Sequence, residues 1–278
     1  MAFMARGHTP GRGRFGESVE RAVGWILRQS RDGMIIRDTS HGPMYSHGIT
    51  TLMLGEVLGM VDERRPAFEK LHGVYLDAIN TILRAQNVAK DASSIGGWRY
   101  HPNSTDSDVS CSGWQLLALR AAQGNAFPVP RRNITSAVDY IKRCVNPLGG
   151  FGYQPGGDPT PARTGTAILA LQISGDFNSR EAFQGGDWLL KNPVEWKGPF
   201  FFYAVYYCSQ GMYQLGGEYW KRWRTVLESL LLPRQRPDGS WPTPPEETLE
   251  LHAGQAYCAA MAALALSVDF KLLPIYQR

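Results

Sequence analysis

The sequence predicts an all-α fold built from helix pairs, and three observations carry that prediction. Segments with one apolar stripe and a wet back alternate with segments that are apolar nearly all round, about five times over. No segment shows the two-residue period of a half-buried strand. A turn of the form Gln-x-x-x-Gly-x-bulky recurs between the segments. A helix that is apolar on every side needs neighbours on every side, and two concentric rings supply them, with dry helices inside and half-wet helices outside.

Taken in order, Phe15 to Arg28 carries Val19, Ala22, Val23 and Ile26 on one stripe, with Glu17, Glu20, Arg21 and Arg28 off it. After the Asp32-Gly33 turn, Tyr45 to Met60 is apolar nearly all round, which predicts a buried helix. Pro66 to Ala85 is amphipathic through Leu71, Val74, Tyr75, Ala78 and Ile82. The stretch Asp106-Ser107-Asp108-Val109-Ser110 then opens another dry helix, containing Cys111, Trp114, Leu116, Leu117 and Leu119. Asn133 to Arg143 is half-wet and Thr164 to Ile173 is dry. A weaker outer helix is expected over Arg180 to Leu190. Phe200 to Tyr213 is dry and aromatic, Glu218 to Leu231 is half-wet, and Leu251 to Val268 is dry and rich in alanine. In the turns, Gly can take the positive φ that ends a helix, the bulky residue packs across helix ends, and the Gln bonds to exposed backbone.

With 278 residues, the chain is read as a basic Gly/Pro tail over residues 1–14 followed by a single domain over residues 15–278. A hydrophobic share of 43% and a charged share of 19% describe a globular protein. The net charge of +4 is not drawn into a basic stripe, so a nucleic-acid partner is not expected. The exception is Arg6, Arg12 and Arg14, a tail that is either mobile or draped and that allows contact with an anionic surface. No stretch reaches the roughly 20 apolar residues of a membrane span, and no apolar signal-peptide core leads the chain, so any membrane contact would be peripheral. Cys111, Cys144, Cys208 and Cys258 lack metal spacing and read as buried thiols of a reducing cytoplasm.

The turns at Gln29, Gln235 and Gly96-Gly97-Trp98 resemble those of squalene cyclases and protein prenyltransferase β-subunits. So do Gly216-Gly217-Glu218-Tyr219-Trp220 and Leu272-Leu273-Pro274-Ile275-Tyr276. The likeness spans nearly the whole chain and is greatest to the single-domain bacterial members of that superfamily. It implies an α/α toroid of about five to six helix pairs whose inner-helix starts face a central cavity. Those starts supply Tyr45 and His47; Asp106, Asp108 and Ser110; Thr160, Arg163 and Thr166; Tyr203, Tyr206 and Tyr207; and His252, Gln255 and Tyr257.

In squalene cyclases the middle Asp of Asp-x-Asp-Asp-Thr protonates the substrate. That motif matches Asp106 to Ser110 and maps the acid onto Asp108, with Asp106 beside it, although Val109 stands where the third Asp would be. Two adjacent carboxylates can hold a shared proton. Tyr203, Tyr206, Tyr207 and Trp114 would stabilise a cation through their ring faces. The resemblance therefore implies a class II, isomerase-type terpenoid cyclase acting on or binding an isoprenoid or other apolar molecule, with Tyr45, His47, Arg163, His252 and Tyr257 as further binding residues. Arg163 would hold an anion or bridge to Asp106 or Asp108. The prenyltransferase zinc site needs Asp and Cys where this chain reads Pro161-Ala162-Arg163-Thr164-Gly165-Thr166, so no metal and no cofactor are expected. Two other readings compete. Asp106 and Asp108 are helix caps in a non-catalytic lipid- or protein-binding toroid, or the chain is a metal-independent polysaccharide-active enzyme pairing Asp106 and Asp108 with Asp158 or Glu56. Glu56, inside a dry helix, needs a buried partner.

Overall fold

A computed structural model describes residues 1–35, 42–61, 68–244 and 249–277, and only the backbone of residues 249–252. Ten α-helices lie within these residues: α1 (Gly16–Gln29), α2 (Pro43–Leu58), α3 (Leu71–Gln86), α4 (Val109–Gly124), α5 (Arg131–Arg143), α6 (Pro161–Ile173), α7 (Arg180–Lys191), α8 (Phe201–Leu215), α9 (Gly217–Leu231) and α10 (Leu249–Leu266). No strand occurs among the described residues; the extended contacts are isolated bridges such as Trp98 with Asp108. The sequence places the helix ends within a few residues. The exception is α3, which runs from Leu71, whereas the expected start at Pro66 lies outside the described residues.

The expected alternation is present. In α2 and α4 every face is buried, from Met44, Leu52 and Val57 to Val109, Trp114 and Leu119. In α1, α5 and α9 burial keeps to one stripe, such as Ile134, Ala137, Tyr140 and Ile141 in α5. The chain forms two compact units. In the first, Phe3–Arg143 with Leu272–Arg278, α2 packs on α4, and α3 lies against both. In the second, Cys144–Lys271, α8 packs on α6 and α10, with α7 and α9 outside them. The basic tail is draped: Met4 and Ala5 are buried in a short 3-10 turn, Met4–Arg6. One departure concerns the last dry helix. Gly254 has φ 81° and ψ 173°, so α10 is two helical pieces meeting at a kink.

Two of the repeated turns, at Gln86 and Gln235, share one construction. Gln86 donates from its side-chain amide to the carbonyls of Gly96 (2.7 Å) and Asn133 (2.9 Å), and Gln235 donates to that of Gly239 (3.1 Å). The indole of Trp98 donates to the Ile82 carbonyl at 2.8 Å, and that of Trp241 to the Leu231 carbonyl at 2.9 Å, so each ring is tied to the end of the preceding helix. Gly96 is required rather than tolerated. Its φ is +94°, and a Cβ there would stand 2.1 Å from the Ser136 carbonyl oxygen.

Candidate functional site

The polar centre of the first unit is the turn that leads into α4. Asp108 has extended φ/ψ, and its side chain accepts the backbone N–H of Cys111 at 2.8 Å, which makes it the N-cap of α4. It is fully buried. Its other oxygen lies 3.8 Å from Nε of Arg99, and Nη1 of Arg99 is bonded to Asp106. Arg99 thus joins the two carboxylates, and its own carbonyl accepts the Cys111 thiol at 3.1 Å. The guanidinium also lies 4.9 Å over the Tyr100 ring, and Tyr100 meets Tyr45 at 5.9 Å. Lys90 completes the group. Its ammonium donates to the Ser104 carbonyl at 2.5 Å, and burial lowers its pKa, opposed by the nearby charge of Asp106. Two carboxylates and two cations therefore share this corner and balance one another.

The sequence flagged Asp106, Asp108 and Tyr45 here but not Arg99, Tyr100 or Lys90. The signal was present in Gly96-Gly97-Trp98-Arg99-Tyr100. A Trp anchored on the preceding helix and paired through its backbone with Asp108 fixes the next side chain beside that carboxylate. The charge partner of Asp106 and Asp108 thus comes from their own turn. Arg163, in the second unit, donates to the Asp158 carbonyl at 3.1 Å and lies 5.1 Å from the Tyr153 ring centre.

Successive turns carry equivalent groups at these places. In α6 the N-cap is Thr160, whose hydroxyl accepts from Arg163 N, and in α4 the same place belongs to Asp108. Four residues on, Ser112 accepts the Trp98 N–H at 2.9 Å and Thr164 accepts the Phe151 N–H at 2.9 Å. In the first turn the equivalent contact goes to His47, whose Nδ1 accepts the Ile35 N–H at 3.1 Å. Since Nδ1 accepts, Nε2 carries the proton and donates it to the Ala78 carbonyl at 3.1 Å. Burial pushes the His47 pKa down to about 4, so it is a neutral, fully bonded core group. The sequence places His47 among the ligand-binding residues; the structure corrects this and places both its ring nitrogens on backbone groups.

The aromatic candidates divide by exposure. Trp114 in α4 and Tyr206 and Tyr207 in α8 are covered by packed protein, whereas Tyr45, Tyr203 and Tyr257 are half-buried. Tyr207 links Tyr203 (4.7 Å) to Tyr206 (4.9 Å), and at the head of the same helix Trp196 meets Phe201 at 4.7 Å. The side chain of His252 lies outside the described residues. Glu56 has its partner: the Ile275 N–H donates to both carboxyl oxygens, at 3.1 and 3.3 Å, while burial raises its pKa to about 8. Asp158 is in the second unit and Glu56 in the first. None of the four cysteines is in a disulfide and all are buried, and burial raises the thiols of Cys111 and Cys208. Among the described residues no three His, Cys, Asp or Glu side chains gather as metal ligands would, and no helix is long and apolar enough to cross a membrane.

A family model described as the prenyltransferase alpha-alpha toroid domain matches residues 20–201. No curated protein matches the chain. Among solved structures, Candida albicans protein geranylgeranyltransferase-I complexed with GGPP is similar over 94% of this chain and 82% of its own, with 13% identity and a TM-score of 0.53. The type II terpene cyclase MstE from Scytonema, in its apo form, matches 92% of this chain and 99% of its own, with 14% identity and a TM-score of 0.45. The likeness is one of fold: all-α, of the α/α-toroid class.

Proposed function

The chain belongs to the prenyltransferase α/α-toroid family, and from that premise we propose that it binds an apolar, isoprenoid-type molecule against its inner helices without using Asp108 as a proton donor. Support for the ligand class comes from the dry inner helices and their aromatic content, above all the half-buried Tyr203 of α8, and from the GGPP in the similar structure of the Candida albicans protein.

One observation carries the reading of Asp108. Its carboxylate is buried, spends one oxygen on the helix cap and faces Arg99 with the other. A guanidinium at this distance stabilises the ionised carboxylate, whereas an acid catalyst must keep its proton until the substrate takes it. The Thr160 cap at the equivalent place in α6 supports the same reading, because Thr cannot serve as the acid. Lys90 and Arg99 are already balanced by Asp106 and Asp108, so this corner offers a ligand little net charge. That favours a neutral chain over a diphosphate.

The test is to incubate the protein with squalene, geranylgeraniol and geranylgeranyl diphosphate, following binding by native mass spectrometry and products by gas chromatography. Expected are retention of the neutral chains and no new product, with binding unchanged in Asp108→Asn. A cyclised product formed by the native chain and lost in Asp108→Asn would overturn this reading in favour of a protonation-initiated cyclase.

A further inference from the structure

The basic tail has no part in the site described above, yet it is not a loose end. Met4 and Ala5 are buried, and the backbone from Thr9 to Gly16 is closed by turn hydrogen bonds: Arg12 N to Thr9 O at 2.9 Å, Gly16 N to Gly13 O at 3.0 Å and Gly11 N to Gly16 O at 3.2 Å. Aromatic side chains pack on one another within this folded lobe. Phe3, 47% exposed, rests on Phe15 with ring centres 4.8 Å apart. The Arg14 guanidinium lies 5.3 Å from the same Phe15 ring centre, and Arg12 and Arg14 are exposed. Leu272, 40% exposed, comes beside the lobe at Gly7.

Helix α1 begins where the lobe ends, at Gly16. Trp25 is 50% exposed, and no ring contact holds its indole among the described residues. Helical spacing puts Ser18, Arg21, Ala22 and Arg28 on its side of α1, and all four are exposed. Phe15 and Trp25 are ten residues apart, roughly 15 Å along the helix axis. The lobe and α1 together contain five arginines against Glu17 and Glu20, which is three of the chain's four net positive charges. Glu17 is drawn toward Arg21 at 3.8 Å.

We propose that the lobe and the outer face of α1 form a docking surface for an anionic lipid bilayer, with Phe3, Trp25 and Leu272 seated among the headgroups and Arg12, Arg14, Arg21 and Arg28 on lipid phosphates. Separate anchors spaced among arginines suit the bilayer interface, where an aromatic ring beside a cation needs no neighbour to complete it. A protein partner would ask for a contiguous apolar centre with the charges at its rim. Charge complementarity selects the anionic leaflet. The inference stands apart from what the inner helices bind.

Sedimentation of the full chain with vesicles tests it, using phosphatidylcholine alone and phosphatidylcholine with 40% phosphatidylglycerol. Binding should be at least tenfold tighter to the anionic vesicles and should fall at least tenfold in 0.5 M NaCl. The double variant Arg12→Glu/Arg14→Glu should lose at least tenfold, and Trp25→Ser a few-fold, with the circular dichroism of both unchanged. Equal binding to both vesicle types, or an undiminished double variant, overturns the proposal. So does binding of RNA through the same arginines with no vesicle binding.

Discussion

Glu56→Gln is the most quantitative probe of the first unit. Glu56 is fully buried in α2, and its carboxyl receives the Ile275 N–H, which ties the C-terminal segment to the helix. Burial raises its pKa from 4.5 to about 8, with the Ile275 bond pulling the other way. The sign follows from proton linkage. Below pH 4.5 the folded and unfolded chains both hold the proton. As pH rises from there to about 8, the unfolded chain releases it and the folded chain keeps it, so stability falls across that window and levels off above it. At about 1.4 kcal/mol per pH unit, a shift of this size amounts to roughly 5 kcal/mol over the whole window. Gln keeps the shape and the acceptor for Ile275 but does not titrate. The stability difference between the native chain and Glu56→Gln should therefore change by about 2 to 3 kcal/mol between pH 6 and pH 8.5, in favour of the variant at high pH. Urea denaturation followed by circular dichroism across that range measures it. Parallel stability curves for the two proteins would refute the reasoning, because they would mean that Glu56 ionises in the folded chain as readily as in the unfolded one.

Three further outcomes are expected. Asp108→Ala should cost about 1 kcal/mol more than Asp108→Asn by urea denaturation, because Asn still accepts the Cys111 N–H and Ala does not. His47, its pKa pushed down by burial from 6.5 to about 4, should make the native chain lose stability as pH falls through that window, by up to about 3 kcal/mol, and His47→Gln should flatten that limb. Gly96→Ala should destabilise by about 3 kcal/mol or more, read as a lowered urea midpoint, since it adds a Cβ to a residue at φ +94° against the Ser136 carbonyl.

The fold was legible because its cause is written at long range in the chain. A helix such as α4, with Trp114, Leu116 and Leu119 pointing different ways yet all buried, can exist only inside a ring of other helices, and half-wet helices such as α5 can only be that ring. The turns were legible for a local reason. Gly96 and Trp98 have one conformation that satisfies both the positive φ and the indole N–H. The kink at Gly254 was not, because a glycine among Leu, Ala and Gln residues reads the same whether it continues a helix or breaks it.

The site was harder to read because sequence shows a carboxylate without its partner. Asp106 and Asp108 read as an acid pair with Arg163 as a candidate bridge, whereas the cation beside both is Arg99, seven and nine residues upstream, on the far side of a turn. Arg99 reaches them only because Trp98 is tied at both ends, its N–H to Ser112 on α4 and its indole to Ile82 on α3. The same tie explains His47. In the first turn the residue at the Trp98 place is Ile35, and the acceptor that Ser112 and Thr164 provide elsewhere is an imidazole there. Read alone, a histidine near a helix start suggests catalysis. Read against the two later turns, it is the member of a structural series that happens to be titratable. The repeat, more than any single motif, separates the groups that close the helix ends from the other side chains of the dry helices.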